Sequence, residues 1–162
     1  MTLKSTPLAA LAALAFSPAA AMAEQFPLQV TVEAVVPTAT GLQISPVGDW
    51  AGQVQTMHWD MDTEDLSPIR QQIDMKSGLG AINAYLTTDA LLTSGGDSIV
   101  LDVAVAGKAL AVGPAAAIEV ATDTESAAGK RADVEISAVS PEAYVSGIYQ
   151  GNVFLMFEST AP

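Results

Sequence analysis

Gln25-Phe26-Pro27-Leu28-Gln29-Val30-Thr31-Val32-Glu33-Ala34-Val35-Val36 places Phe26, Leu28, Val30, Val32, Ala34 and Val36 at every second position, with mostly polar residues between them. That is the period of a β-strand with one buried face. Pro37 follows at once. It has no amide hydrogen to give to a ladder, so it is a natural end or hinge. A long apolar strand here either pairs within its own domain or is lent to another molecule. The residues of the strand leave both open.

Upstream, residues 1–23 have the layout of a secretory signal. Lys4 supplies the positive region, Leu8 to Phe16 an apolar run, and Ala21-Met22-Ala23 the small residues that signal peptidase requires. The apolar run falls short of the roughly 20 residues of a membrane span, and Lys108, Pro114 and Glu119 interrupt the later Ala-rich stretch from Val103 to Val120. The expected organisation is therefore a signal over 1–23, an N-terminal strand over 24–36 and one domain over 37–162, with no membrane span.

The chain of 162 residues less the 23 of the leader leaves 139, enough for one domain with a real core. The formal charge is −12, and −13 without Lys4. Such a chain is repelled by nucleic acid and by anionic lipid surfaces, so neither is an expected partner. There is no cysteine. A lipid anchor on cysteine, a disulfide and thiol chemistry are all excluded, and stability must come from packing or from an added element.

The body reads as all-β. Ile82, Ala84 and Leu86 alternate with Asn83, Tyr85 and Thr87. Thr93 to Ser98 is a turn cluster centred on Gly95-Gly96. Ile99, Leu101, Val103 and Val105 form the next alternating run, and Gly107-Lys108 the next turn, followed by Leu110 and Val112. Val134, Ile136 and Ala138 alternate again, as do Tyr149, Gly151, Val153, Leu155 and Phe157. Short strands separated by Gly, Pro and Ser turns predict a sandwich. Asp60 to Arg70 is acidic and irregular, and Ala115 to Thr124 fits a short helix or a strand.

Catalytic signals are sparse. His58 is the only histidine and sits between Met57 and Trp59, where a structural role is the ordinary one. No Gly-x-Ser-x-Gly elbow and no phosphate-loop spacing occur. Asp60, Asp62 and Asp65, with Glu64, are weak candidates for oxygen ligation of Ca²⁺, without the glycine and distal glutamate of an EF-hand loop. The blander reading of this stretch is a solvated acidic loop. Trp50, Trp59, Tyr85, Tyr144 and Tyr149 fit either a ligand patch or core packing. No enzyme activity, cofactor or bound metal is expected.

Four features together resemble the CS1/CFA/I-type major fimbrial subunits of the alpha class of chaperone–usher systems. The opening strand carries Leu28-Gln29-Val30-Thr31-Val32-Glu33-Ala34 and then Pro37. A middle strand runs into a Leu-Thr-like turn over Ile82 to Thr93. The strand Ile99 to Val105 leads to Gly107-Lys108-Ala109-Leu110. The chain closes on Gly147-Ile148-Tyr149-Gln150-Gly151-Asn152-Val153-Phe154-Leu155. The lack of cysteine is similar too.

The resemblance implies an immunoglobulin-like β-sandwich that is incomplete and is completed by a donor strand from a neighbouring subunit. Phe26, Leu28, Val30, Val32, Ala34 and Val36 would be that donor strand, with Pro37 as its hinge. The implied protein is a fimbrial structural subunit that polymerises head to tail and supports adhesion through the filament. The implied partners are identical subunits, a periplasmic chaperone, an outer-membrane usher and a tip adhesin. Its route would run through the periplasm to the cell surface. The competing reading is a secreted monomeric β-sandwich that binds carbohydrate or Ca²⁺.

Overall fold

Among the described residues, eleven strands are arranged as two facing sheets and a small hairpin, and the longer strands alternate inward and outward residues. The computed structural model describes residues 41–141 and 143–160. The leader, the strand candidate at 25–36 and Pro37 lie outside the described residues. The strands are β1 (Gln43–Pro46), β2 (Trp59–Asp60), β3 (Asp65–Leu66), β4 (Ile69–Lys76), β5 (Ala81–Leu86), β6 (Leu91–Ser94), β7 (Asp97–Val105), β8 (Lys108–Ala109), β9 (Ile118–Ala121), β10 (Lys130–Ala138) and β11 (Leu155–Thr160). One short helix, α1 (Asp123–Ala128), separates β9 from β10.

The larger sheet runs β1-β4-β10-β7-β6, with β8 also on β7; the smaller runs β11-β5-β9. All their strand pairings are antiparallel. In immunoglobulin terms, β1, β4, β10 and β7 stand in the order A-B-E-D, and β5 and β11 stand as C beside F. The all-β sandwich expected from the alternating runs is therefore the observed architecture.

The two inner faces make one core. β4 contributes Ile73 and Met75, β5 contributes Ile82, Ala84 and Leu86, and β7 contributes Leu101, Val103 and Val105, all buried. Val120 of β9 and Ala132 and Val134 of β10 close it. Each fully buried Ile, Leu, Val or Met contributes roughly 1.5–3 kcal/mol. On the outer face, β4 and β10 are locked in register by three directly opposed polar pairs. Arg70 meets Glu135, Gln72 meets Asp133, and Arg131 meets Asp74. A one-residue slip would break all three and expose the core face.

Several local readings are corrected by the structure. Thr93, Ser94, Asp97 and Ser98 belong to strands, so only Gly95-Gly96 turns the chain between Ser94 and Asp97. Gly95 alone of the two has positive φ, as the first position of a II′ hairpin requires. The next turn is Ala106-Gly107, one residue earlier than expected, because Val105 pairs with Lys108. Both turn residues have positive φ, which a I′ hairpin demands even of the alanine.

Leu110 and Val112 do not continue that strand. Leu110 N–H still bonds Val103 of the larger sheet, whereas Leu86 N–H bonds Ala111 of the crossing segment. The chain is passing from one sheet to the other there. Asp60 to Arg70 is not irregular throughout: β2 and β3 form a hairpin, and β4 begins at Ile69. Ala115 to Thr124 divides between strand β9 and the start of α1, which Thr122 and Glu125 begin with a reciprocal capping box.

The closing alternation is strand only from Leu155 onward. Residues 147–151 lie instead along the outer edge of β6. Thr93 and Gln150 exchange backbone hydrogen bonds of 2.9 and 3.0 Å. Gly151 is obligatory there, since a Cβ would stand 2.0 Å from the Leu91 carbonyl oxygen. Gly151→Ala should therefore lift this segment off β6 and destabilise the domain by about 1–3 kcal/mol. Denaturant unfolding measures the loss, and an unchanged midpoint would contradict the packing described.

Candidate functional site

The feature that sets the site is an edge. β11 pairs with β5 on one side only, from Leu155 opposite Leu86 to Thr160 opposite Ala81. Among the described residues no strand lies on its other side. This is the position of strand G in an immunoglobulin-like sandwich. The inward residues Leu155 and Phe157 are only half-buried, as are Ile44 of β1 and Ile136 and Ala138 of β10, although all five pack on the core. Unpaired N–H and C=O groups beside half-covered apolar side chains suit the addition of one extended segment.

The second feature is the acidic hairpin. Asp60 and Asp65 face each other across β2 and β3. The Asp60 carboxylate accepts the backbone N–H groups of Asp62 and Thr63 at 2.8 and 3.2 Å and so shapes the turn. The Asp65 carboxylate accepts the hydroxyls of Ser140 and Tyr144, and the Leu66 N–H at 2.7 Å. Trp59 packs edge-to-face on Tyr144 with ring centroids 5.0 Å apart. Such a pair adds about 0.5–1.5 kcal/mol beyond area burial.

These contacts tie the hairpin to the segment that follows β10. Between them lies a cleft of about 870 Å³, lined by Trp59, Glu64, Asp65, Tyr144 and Tyr149 among others and by no basic residue. The hydrogen bonds from Ser140, then Tyr144, then Leu66 hold the Asp65 carboxyl below the ordinary aspartate range. Burial, followed by the Asp65 hydrogen bond, pushes the Tyr144 hydroxyl above the ordinary tyrosine value.

The residues singled out from sequence divide accordingly. Phe26, Leu28, Val30, Val32, Ala34, Val36 and Pro37 lie outside the described residues. The carboxylates of Asp60 and Asp65 are engaged by the turn and by the Ser140–Tyr144 segment, and Asp62 is exposed at the hairpin tip. Among the described residues no group of three or more histidine or acidic side chains is placed to hold a metal ion. His58 is exposed, and its backbone exchanges bonds with Ser67. Trp59, Tyr144 and Tyr149 do meet in one cleft, whereas Trp50 packs on the core and donates to the Gln72 carbonyl. The hold of Ser140 and Tyr144 on Asp65 carried no local signal, because they reach it across 75 and 79 residues.

The depressed Asp65 pKa has a definite sign. Its folded value lies below the unfolded one, so its stabilisation is present at neutral pH and is lost as pH falls below about 4. The raised Tyr144 value works oppositely, and its contribution is lost as pH rises above about 10. Asp65→Asn should flatten the acid limb of the stability profile between about pH 4 and pH 2 and weaken the alkaline limb only in part, since burial is the larger cause of the raised Tyr144 value. Tryptophan emission against pH, read with denaturant midpoints, checks this; an acid limb identical to the parent's would refute the tie.

Residues 27–158 match the family model described as the CS1 type fimbrial major subunit. No curated protein matches the chain. Among solved structures, the CooA pilin subunit from enterotoxigenic Escherichia coli is similar at 16% identity and a TM-score of 0.54. That match covers 71% of this chain and 86% of the CooA chain, and at this identity it shows a shared fold. The family match spans most of the sequence, including the acidic hairpin and the edge strand β11 as far as Glu158. The chain belongs to the CS1-type fimbrial major subunit family and is a structural subunit of a fimbria.

Proposed function

We propose that this subunit polymerises by donor-strand complementation, with residues 25–36 of one copy entering the vacant edge of the next. Phe26, Leu28, Val30, Val32, Ala34 and Val36 are the inserting side chains, and Pro37 ends the strand. The observation that carries the proposal is β11. Strands stand at A, B, E, D, C and F, while no described strand takes the G position, and Leu155 and Phe157 remain half-buried beside it.

The energetics favour such an insertion. Phe26, Leu28, Val30 and Val32 each contribute roughly 1.5–3 kcal/mol on full burial. Together the inserted residues give on the order of 7–12 kcal/mol before ordering costs. This is comparable with the whole stability of a small domain. A cysteine-free subunit thereby gains in the filament the strand it lacks alone.

The remaining roles follow from this assembly. The mature chain starts after residue 23. A periplasmic chaperone covers the open edge, an outer-membrane usher exchanges it for the next subunit, and a tip adhesin heads the filament. The subunit is not an enzyme, and it adheres through the fibre as a whole.

Val30→Asp and Val32→Asp should each abolish polymerisation while export to the periplasm continues, because a buried unpaired carboxylate opposes insertion. Periplasmic yield and heat-sensitive ladders on an unheated denaturing gel are the readouts. Normal ladders from either variant would sink the proposal. A chain lacking residues 24–36 should still bind the chaperone but never join a filament as an internal subunit. A wild-type monomer that ignores the chaperone would favour a self-contained binding module.

A further inference from the structure

We infer that the acidic, aromatic end of one subunit docks against the Lys76 end of the next, so that each insertion also forms a second, pole-to-pole contact. The inference rests on the donor-strand reading and adds a partner surface to it.

The two ends of the sandwich differ. β4 runs from Ile69 to Lys76 and β10 runs back from Lys130 to Ala138. The β2–β3 hairpin precedes β4, and the Ser140–Tyr144 segment follows β10, so both occupy one end. Lys76, Lys130 and Arg131 occupy the other, roughly 23 Å away at about 3.3 Å per residue. The first end has the hairpin acids Asp60, Asp62, Glu64 and Asp65, of which the last two line a cleft without a basic residue, the ion pair of Arg70 with Glu135, and the exposed side chains of Trp59, Met61 and Val145. At the second, Lys130 pairs with Glu125 and Arg131 pairs with Asp74. Lys76 has no ion pair among the described residues, and Asp123 is the remaining acid of α1. In a chain of charge −12, three of the six basic residues gather there.

Topology brings these ends together. A strand in the G position runs antiparallel to β11. The C-terminal end of β11 lies at the Lys76 end, where Ser159 bonds Ser77. A donor strand therefore has its first residues at that end and finishes, at Val36, beside the acidic end of the acceptor. In its own subunit the chain resumes at Gln43, opposite Lys76. Seven residue steps separate Val36 from Gln43 and span at most about 25 Å. The acidic end of the acceptor thus faces the Lys76 end of the donor subunit at close range. With Lys130 and Arg131 already paired, Lys76 is the cation left to meet the acidic hairpin, and that attraction favours encounter and fixes register.

The test compares polymerisation of the full mature chain, released from its chaperone, at low and high salt. Lys76→Glu should slow ladder formation about tenfold at low salt and little at high salt, where surface charges are screened. Adding Glu64→Lys to Lys76→Glu should restore the rate. A synthetic peptide of residues 24–38 carries no pole, so it should cap wild type and both variants equally. Wild-type kinetics for Lys76→Glu, or a double variant as slow as the single, would overturn the pole contact while capping upholds strand insertion. A peptide that fails to cap wild type would overturn strand insertion and the pole contact with it.

Discussion

The backbone edge of β11 is the constraint around which the rest of this subunit is organised. A β-sheet satisfies its interior hydrogen bonds by pairing and leaves a row of unpaired groups wherever pairing stops. The described domain treats its edges differently. Beyond β6, residues 147–151 lie against the strand and Gly151 seats directly on Leu91. β1 ends on Pro46, which offers no donor. β9 has only four residues, and the ammonium of Lys108 bonds its Glu119 carbonyl. β11 has six residues, no proline and no cover among the described residues. An edge left bare where others are blunted is the structural counterpart of a subunit that assembles.

The core explains how such a domain can keep one side unfinished. The tightest packing joins the middle strands, where Met75, Ile82, Val103, Val105 and Val120 are almost wholly buried. Burial is weaker on β11, where Phe157 and Leu155 are half-covered. Cross-strand pairs on the outer face keep β4 and β10 aligned independently of what happens there. Exposed pairs of this kind add little energy each. Their value is register, since one slipped residue would turn the whole buried face outward.

Much of this architecture is legible in the sequence, and the parts that are not share a physical cause. Ile82-Ala84-Leu86 and Ile99 to Val105 read correctly because one face of each strand is buried and the other solvated, which stamps the period of two on the chain. β4 was hidden because Gln71 takes an inward position; its amide bonds Gln55, an interaction that only the fold creates. The run Tyr149-Gly151-Val153 imitates a strand, but its glycine is demanded by close approach to β6 rather than by a pleat. The capping box at Thr122 and Glu125 is local and readable, whereas the hold of Ser140 and Tyr144 on Asp65 is made by topology alone. For the proposed donor-strand site, the alternating run at 25–36 is legible in the sequence, whereas the edge that would receive it is not. An empty strand position has no residues of its own and becomes visible only once the other strands are placed.

The same topology gives the proposed filament a direction. A closed ring would need the acceptor edge and the donated strand to meet after a finite rotation, whereas a head-to-tail contact that does not close extends indefinitely. Here β1 begins at the Lys76 end, with Gln43 opposite Lys76, so the proposed donor segment is joined to its own domain at that end. The β11 edge that would receive such a segment runs between the two ends, so the contact is heterologous and its two halves never saturate each other. The acidic hairpin adds meaning to this polarity. Tying Asp65 to Ser140 and Tyr144 holds Trp59 and Glu64 outward at one end of the sandwich, where a strand inserted beside β11 would finish. Charge and strand direction then select the same orientation. A subunit presented backwards would meet an acidic end with an acidic end, and the electrostatic cost would fall before any strand could pair.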